Sequence, residues 1–287
     1  MKYQFMRFPG GKAKAVTFSY DDGVRADLRL VETMNRYGIK GTFNLAGWVL
    51  DAQPGGGRLT VEEVQKYILD AGHEVAVHGM EHRAPGILRA AQGIREVLSC
   101  REELEKAFGR IIRGMAYPDT GIGRLTSGVD YATIRKYLQD LDIAYARTLA
   151  GDNKNFMMPE DWYAWMPSVR HANPEALEYA KAFVQMQLPT YVAAQYPRLF
   201  YLWGHSYEFD DNNNWELLEQ LCAALGNRDD IWYATNMEIY EYSQAYNSLV
   251  YSADGMRIYN PTLYQIWFTR HGNLFSIASG ETLVMQD

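Results

Sequence analysis

Thr17-Phe18-Ser19-Tyr20-Asp21-Asp22-Gly23 decides how the rest of the chain is read. A largely apolar run from Ala13 to Tyr20 ends abruptly in two adjacent carboxylates and a glycine. A buried strand gains nothing from two like charges side by side. Each raises the other's proton affinity, and both need hydration or a counter-charge. A metal ion supplies that counter-charge, and Gly23 permits the sharp turn that aims the two side chains apart. An Asp-Asp-Gly turn is also ordinary punctuation after a strand, so the choice between the two readings rests on what stands elsewhere in the chain.

Downstream, strand and helix alternate. The pattern predicts a helix over Arg25–Tyr37 closed by Gly38, a strand over Gly41–Leu45, and a glycine-rich loop over Asp51–Arg58. A capping-box helix follows from Thr60, then a strand over Glu74–His78 and a long helix over Pro85–Phe108. Strands are predicted at Ile111–Tyr117, Ile143–Thr148, Tyr163–Val169, Leu199–His205 and Ile231–Ala234. Helices between and after them cover Tyr131–Leu138, Pro174–Gln187, Trp215–Leu225 and Met237–Tyr246. This order implies an α/β architecture in which a parallel sheet curls into a barrel or part-barrel with helices outside. From about Leu249 the texture changes to short alternating runs separated by Asp254-Gly255, Asn260-Pro261, Gly272-Asn273 and Ser279-Gly280. These are turns between antiparallel strands. The expected division is therefore a barrel unit over residues 1–247 and a small C-terminal β appendage over residues 248–287 packed on it.

Composition narrows the function. The 287 residues carry 28 basic and 35 acidic side chains, a net charge of −7. That argues against nucleic acid and anionic membrane as partners, since both select a basic face. Cys100 and Cys222 read as buried thiols and not as a disulfide framework. No stretch approaches 18 uninterrupted apolar residues, and Met1–Phe8 lacks the apolar core of a secretion signal. A cytoplasmic location is the simplest expectation, a trimmed signal being the alternative. The sequence is silent on oligomeric state.

In parallel barrels the chemistry collects at the carboxyl ends of the strands. Asp21 and Asp22, Asn44, His78 and His82, Tyr117, His171 and His205 all fall at such predicted ends. Four of the six histidines are in that group, a placement that packing alone does not explain. His78-Gly79-Met80-Glu81-His82 puts two imidazoles four residues apart, within reach of one ion. With Asp22 they make a two-histidine, one-carboxylate set, which leaves coordination positions open for water and substrate. Zinc fits these donors best; cobalt, nickel and iron(II) fit them too. A metal of this kind needs a base for its water and an acid for the leaving group. Asp21, beside the ligand Asp22, is the candidate base. His205 is the candidate acid, with Glu208 placed to orient it.

Phe18-Ser19-Tyr20-Asp21-Asp22-Gly23, His78-x-x-x-His82, Tyr117-Pro118 and Leu202-Trp203-Gly204-His205 resemble, in this order and spacing, the polysaccharide deacetylase family (NodB-type, carbohydrate esterase family 4) over about residues 13–245. The resemblance implies a distorted (β/α) barrel of about seven parallel strands. It also implies that Asp21 is the base, that Asp22, His78 and His82 hold the metal, and that His205 is the acid. Leu202 would line the acetyl pocket, and Asp119 would offer a backbone N–H to the oxyanion. The chain departs from the family pattern at Gly79, usually Ser or Thr, and at Ala116, where the family carries the arginine that holds the base. Arg113 or Arg170 is the expected substitute. The tryptophan and acidic partner of the acid also lack their usual positions, which leaves Trp165 and His171 as the expected replacements.

The expected activity is metal-dependent removal of acetyl groups from an N-acetylated saccharide, with aromatic residues such as Tyr117 and Trp165 as sugar platforms. An O-acetyl esterase, a cyclic-amide hydrolase and a non-catalytic carbohydrate-binding protein are the rival readings.

Overall fold

The computed structural model describes residues 3–126, 128–149 and 153–285. The chain opens with β1 (Gln4–Arg7), β2 (Lys14–Asp21), α1 (Asp27–Arg36) and β3 (Gly41–Leu45). A capping box of Thr60 and Glu63 then starts α2 (Val61–Val64), whose path continues as a π-helical turn over Gln65–Leu69. β4 (Glu74–Val77), α3 (Ala90–Phe108), β5 (Gly114–Ala116), α4 (Tyr131–Asp140) and β6 (Tyr145–Arg147) follow. Next come β7 (Val169–Arg170), α5 (Ala176–Gln185), β8 (Arg198–Gly204), α6 (Tyr207–Asp211), α7 (Trp215–Leu225), β9 (Ile231–Tyr233) and α8 (Asn236–Asn247). The tail adds β10 (Val250–Tyr251), β11 (Arg257–Tyr259), β12 (Ile266–Arg270), β13 (Asn273–Ile277) and β14 (Thr282–Val284).

The main sheet runs β6-β5-β4-β3-β2-β8-β7, all parallel, with β9 paired to the lower part of β2 where β3 has not yet begun. It is the expected curled (β/α) barrel. The predicted strand over Tyr163–Val169 takes another form. Trp162–Ala164 is a 3₁₀ turn and only Val169–Arg170 is regular strand. The segment between them crosses the gap that the curled sheet leaves. The Trp165 N–H donates to the Ala146 carbonyl at 3.0 Å, and the Ser168 N–H to the Tyr201 carbonyl at 2.8 Å, which ties the β6 edge to the β8 edge. A segment that serves two edges cannot keep one register, so it never extends into a long strand. The predicted helix from Pro85 likewise starts later, at Ala90, because Pro85–Ile87 closes a separate 3₁₀ turn and Arg89 is extended.

Alternation along β2 sorts two environments. Val16, Phe18 and Tyr20 pack with residues of α1, α3 and α7. Thr17 and Ser19 face the barrel interior, which is polar and hydrogen-bonded. Thr17 donates to Asn236, Asn236 donates to the Tyr201 hydroxyl, and Asn44 donates to Ser19. At the base, Glu74 accepts from Thr42 (2.8 Å), the Tyr145 hydroxyl (2.6 Å) and the Met237 N–H (2.8 Å), joining β3, β4, β6 and the first turn of α8. Burial pushes its carboxyl up to about 7, although these donors pull the other way.

The tail is antiparallel, as its turn signals predict, in two small sheets, β10-β11-β14 and β1-β12-β13. The second takes its edge strand from the chain's N-terminal end, with Gln4 opposite Arg270. Cys100 and Cys222 are buried free thiols. Among the described residues no helix is long and apolar enough to cross a membrane.

Glu74→Ala would take the acceptor from three donors at once, those of buried Thr42 and Tyr145 and the half-buried Met237 N–H, each buried donor left unpaired costing about 1–3 kcal/mol. We expect a loss of about 3 kcal/mol or more in urea unfolding, whereas truncating the exposed Glu81 leaves the midpoint unchanged.

Candidate active site

β2 delivers Asp21 and Asp22 to the carboxyl end of the barrel, where the backbone turns at Asp22 (φ 84) and both carboxylates approach His78 Nε2, at 3.8 and 3.9 Å. The strained carbonyl of Asp22 is pinned by Trp48 Nε1 and Arg58 Nη1, each at 3.0 Å. β4 ends at Val77 and delivers His78; a loop returns His82, at φ 57, to the same place. Asp22 Oδ1 lies 3.5 Å from His82 Nε2 and 3.9 Å from His78 Nε2. The donor atoms of Asp22, His78 and His82 all lie within 4.8 Å of one another and could hold one metal ion. His78 Nδ1 meets the Ala116 carbonyl at 3.0 Å. A carbonyl only accepts, so the proton sits on Nδ1 and the Nε2 lone pair is left for an ion. Burial lowers the His78 pKa despite the pull of Asp21, which also favours the neutral ring a ligand needs. The fit to a cation rests on Asp22: its buried Oδ1 accepts no hydrogen bond among the described residues, and a bare carboxylate oxygen facing two imidazoles calls for a positive charge.

Asp21 is fully buried and is neutralised differently. Arg147 Nη2 donates to both of its oxygens, at 2.8 and 2.6 Å, and Asn44 Nδ2 donates to Oδ1 at 2.8 Å. Burial alone would raise this carboxyl. Arg147, His78, His205 and the Asn44 amide outweigh it and hold the group below its ordinary value, so it is ionised at neutral pH. Arg147 is itself fully buried and stacks 4.4 Å over the ring of Trp203. Neither expected arginine serves here. Arg113 is bound to the Asp142 side chain and carbonyl, and Arg170 pairs with Glu208. The register explains the substitution: Ala116 on β5 lies directly beside Arg147 on β6. The guanidinium has moved one strand sideways at the same height. Its signal in the sequence was a lone arginine ending the apolar run Ile143–Ala146, the same anomaly that marked Asp21.

Opposite the donor set stands His205, with Nε2 3.8 Å from Asp21 Oδ2 and Nδ1 3.1 Å from Glu208 Oε1. Burial works to lower its pKa, but Glu208 and Asp21 outweigh burial and raise it. Glu208 also meets His171 Nε2 at 3.0 Å and Arg170. Burial would raise its carboxyl; His171, His205 and Arg170 instead hold it far below the usual range. A cavity of about 420 Å³ opens on this group, lined by His78, His82, Asp119, Leu149, Arg170, Asn173, Trp203 and His205.

Asp21, Asp22, His78, His82 and His205 are thus brought together, and Asp119, at φ 50, lines the same cavity. Four expected contacts lie elsewhere. Leu202 points to the helix-covered side of β8, packed with Val16 and Phe18, because strand alternation gives the cavity to Trp203 and His205. Tyr117 is buried with its hydroxyl on the Tyr163 carbonyl. Trp165 fills the barrel interior against Tyr145, Trp162 and Tyr201. His171 is sandwiched between Tyr20 and Phe209 and reaches the site through Glu208.

The family model for polysaccharide deacetylase matches residues 9–143. A Mycobacterium smegmatis protein described as a polysaccharide deacetylase superimposes with a TM-score of 0.57 at 18% identity, over 84% of this chain and 93% of that one. The chitin deacetylase of the fungus Colletotrichum lindemuthianum superimposes with a TM-score of 0.50 at 17% identity, over 82% of this chain and 89% of that one. At these identities the likeness is one of fold. No curated protein matches the chain.

Arg147→Ala leaves Asp21 buried without its cation, and we expect a cost of about 3–5 kcal/mol at pH 7. Asp21 contributes stability above its unfolded-state pKa and loses it as pH falls through its depressed folded-state value, so the deficit shrinks in acid. Adding Ala116→Arg to the variant is expected to return part of the loss, measured by urea unfolding across pH.

Proposed function

We propose that this chain, whose residues 9–143 belong to the polysaccharide deacetylase family, is a metal-dependent hydrolase that removes acetyl groups from an N-acetylated sugar. The observation that carries the reading is the common position of Asp21 Oδ2, 3.8 Å from both His78 Nε2 and His205 Nε2, at one cavity. An ionised carboxylate, a metal-ligand set and a partly charged imidazole facing one another are the parts that amide hydrolysis needs. We assign this chemistry to residues 1–247 and treat residues 248–287 as a structural appendage.

A divalent cation held by Asp22, His78 and His82, zinc by preference of the donors, would polarise the acetyl carbonyl and make the attacking water more acidic. Asp21 takes that water's proton, with Arg147 and Asn44 keeping the carboxylate ionised and aimed. The backbone N–H of Asp119 donates to the developing oxyanion. His205, whose proton affinity Glu208 raises, gives its proton to the nitrogen as the C–N bond breaks, so acetate and a free amine leave. Leu149 and Trp203 supply the apolar wall for the acetyl methyl group, the role Leu202 cannot take from the far side of its strand.

The test is acetate release from N-acetylglucosamine oligomers and from O-acetylated sugars, with metal content measured in each preparation. Release from the N-acetylated set should track bound metal and vanish in His78→Ala. His205→Ala should keep its metal and lose about 10²–10⁴-fold in rate. Stoichiometric metal with release only from the esters would move the acyl donor to oxygen, and a His78→Ala variant as active as wild type would refute the mechanism.

The pH–rate profile carries a second expectation. The acid must hold its proton, so the rate falls as pH rises through the His205 pKa. Glu208 raises that pKa, so Glu208→Gln should move the alkaline limb to lower pH and leave the acidic limb in place.

A further inference from the structure

We infer that Glu96, a buried carboxylate in the middle of α3, is a positioning residue that clamps the loop carrying His82 and so sets the geometry of the metal ligands. Its Oε1 accepts the Glu81 N–H at 2.7 Å and the Arg83 N–H at 2.9 Å, the two amides that flank His82. Its own main-chain carbonyl accepts the Met80 N–H at 2.9 Å. One residue therefore holds three of the amides between Gly79 and Ala84.

The loop gains from being held because His82 sits at φ 57, a left-handed conformation uncommon for any residue with a side chain. The opposite flank is fixed too. The Gly47 N–H donates to the carbonyls of Gly79 and Met80, both at 3.2 Å, and the Trp48 ring lies 5.1 Å from that of His82. Gly79 completes the fit. It has φ 85, and a Cβ there would stand 2.8 Å from Glu96 Oε1, so a side chain at 79 would strain the backbone and press on the carboxylate that holds the loop.

Glu96 touches no ligand atom and points at neutral amide donors, so acceptor geometry matters and not its charge. Its carboxyl borders a surface cavity of about 320 Å³ with Gln92, Arg95 and Ser99, which has room for an amide group. Glutamine can therefore keep Oε1 on both N–H groups.

The inference rests on the metal-site reading, and the experiment separates the two. Cobalt(II) is titrated into metal-free wild type, Glu96→Ala, Glu96→Gln, Gly79→Ala and, as a control for general destabilisation of α3, Leu104→Ala. Affinity and the visible d–d spectrum are read on the folded proteins. We expect Glu96→Ala and Gly79→Ala to bind about 10–100-fold more weakly with an altered spectrum, and Glu96→Gln and Leu104→Ala to match wild type. Equal affinity and spectrum in Glu96→Ala, an equal loss in Leu104→Ala, or a Gln variant as weak as the Ala variant would each overturn the clamp. A wild type that takes up no cobalt would instead defeat the metal-site reading itself.

Discussion

Two consecutive carboxylates at the end of a buried strand repel each other, and the barrel resolves the conflict by giving each a different counter-charge. Asp21 receives a permanent one from inside the fold, the Arg147 guanidinium that bonds both of its oxygens. Asp22 receives none from the described residues; its buried Oδ1 faces His78 and His82. The turn at Asp22 (φ 84) takes the chain out of strand geometry, and there Asp22 faces His78 and His82 while Asp21 stays on Arg147. From this split follow the two roles assigned to the pair: one carboxylate kept free to accept a proton, the other committed to a cation.

The same logic explains the polar interior. A barrel lined by Thr17, Ser19, Asn44, Tyr201 and Asn236 is less hydrophobic than its helix-facing side, but each of these residues makes at least one side-chain hydrogen bond. Such bonds offset the cost of burying polar groups and fix side chains in single orientations. One branch runs from Glu74 at the base through Thr42 and Asn236 to Tyr201, and another joins Ser19 through Asn44 to Asp21. The site is thereby aimed by the strands it stands on, with α6 left to supply Glu208 and the loops Asp119 and the ligand His82.

Much of this was legible in the residues. The Asp-Asp-Gly ending of β2, the His78 and His82 pair and the terminal His205 are anomalies in otherwise regular elements, and anomalies at strand ends survive errors of a few residues in boundary placement. Arg147 was visible only as an arginine ending an apolar run; its role was not legible, since only the register of β5 against β6 shows that position 116 and position 147 are neighbours. Leu202 was misplaced for a related reason: its motif is one residue away from the opposite face of the strand, and parity along β8 decides which side reaches the cavity. Glu96 escaped notice because a glutamate on an amphipathic helix reads as surface, and its burial depends on a loop returning over α3.

The most direct measurement is the anomalous diffraction of crystals grown with zinc, collected on both sides of the zinc absorption edge. The account predicts one strong peak about 2.0–2.2 Å from Asp22, His78 Nε2 and His82 Nε2, with Asp21 still paired to Arg147. A peak ligated by Asp21 in place of Asp22, or none at this site in crystals that hold zinc elsewhere, would contradict it.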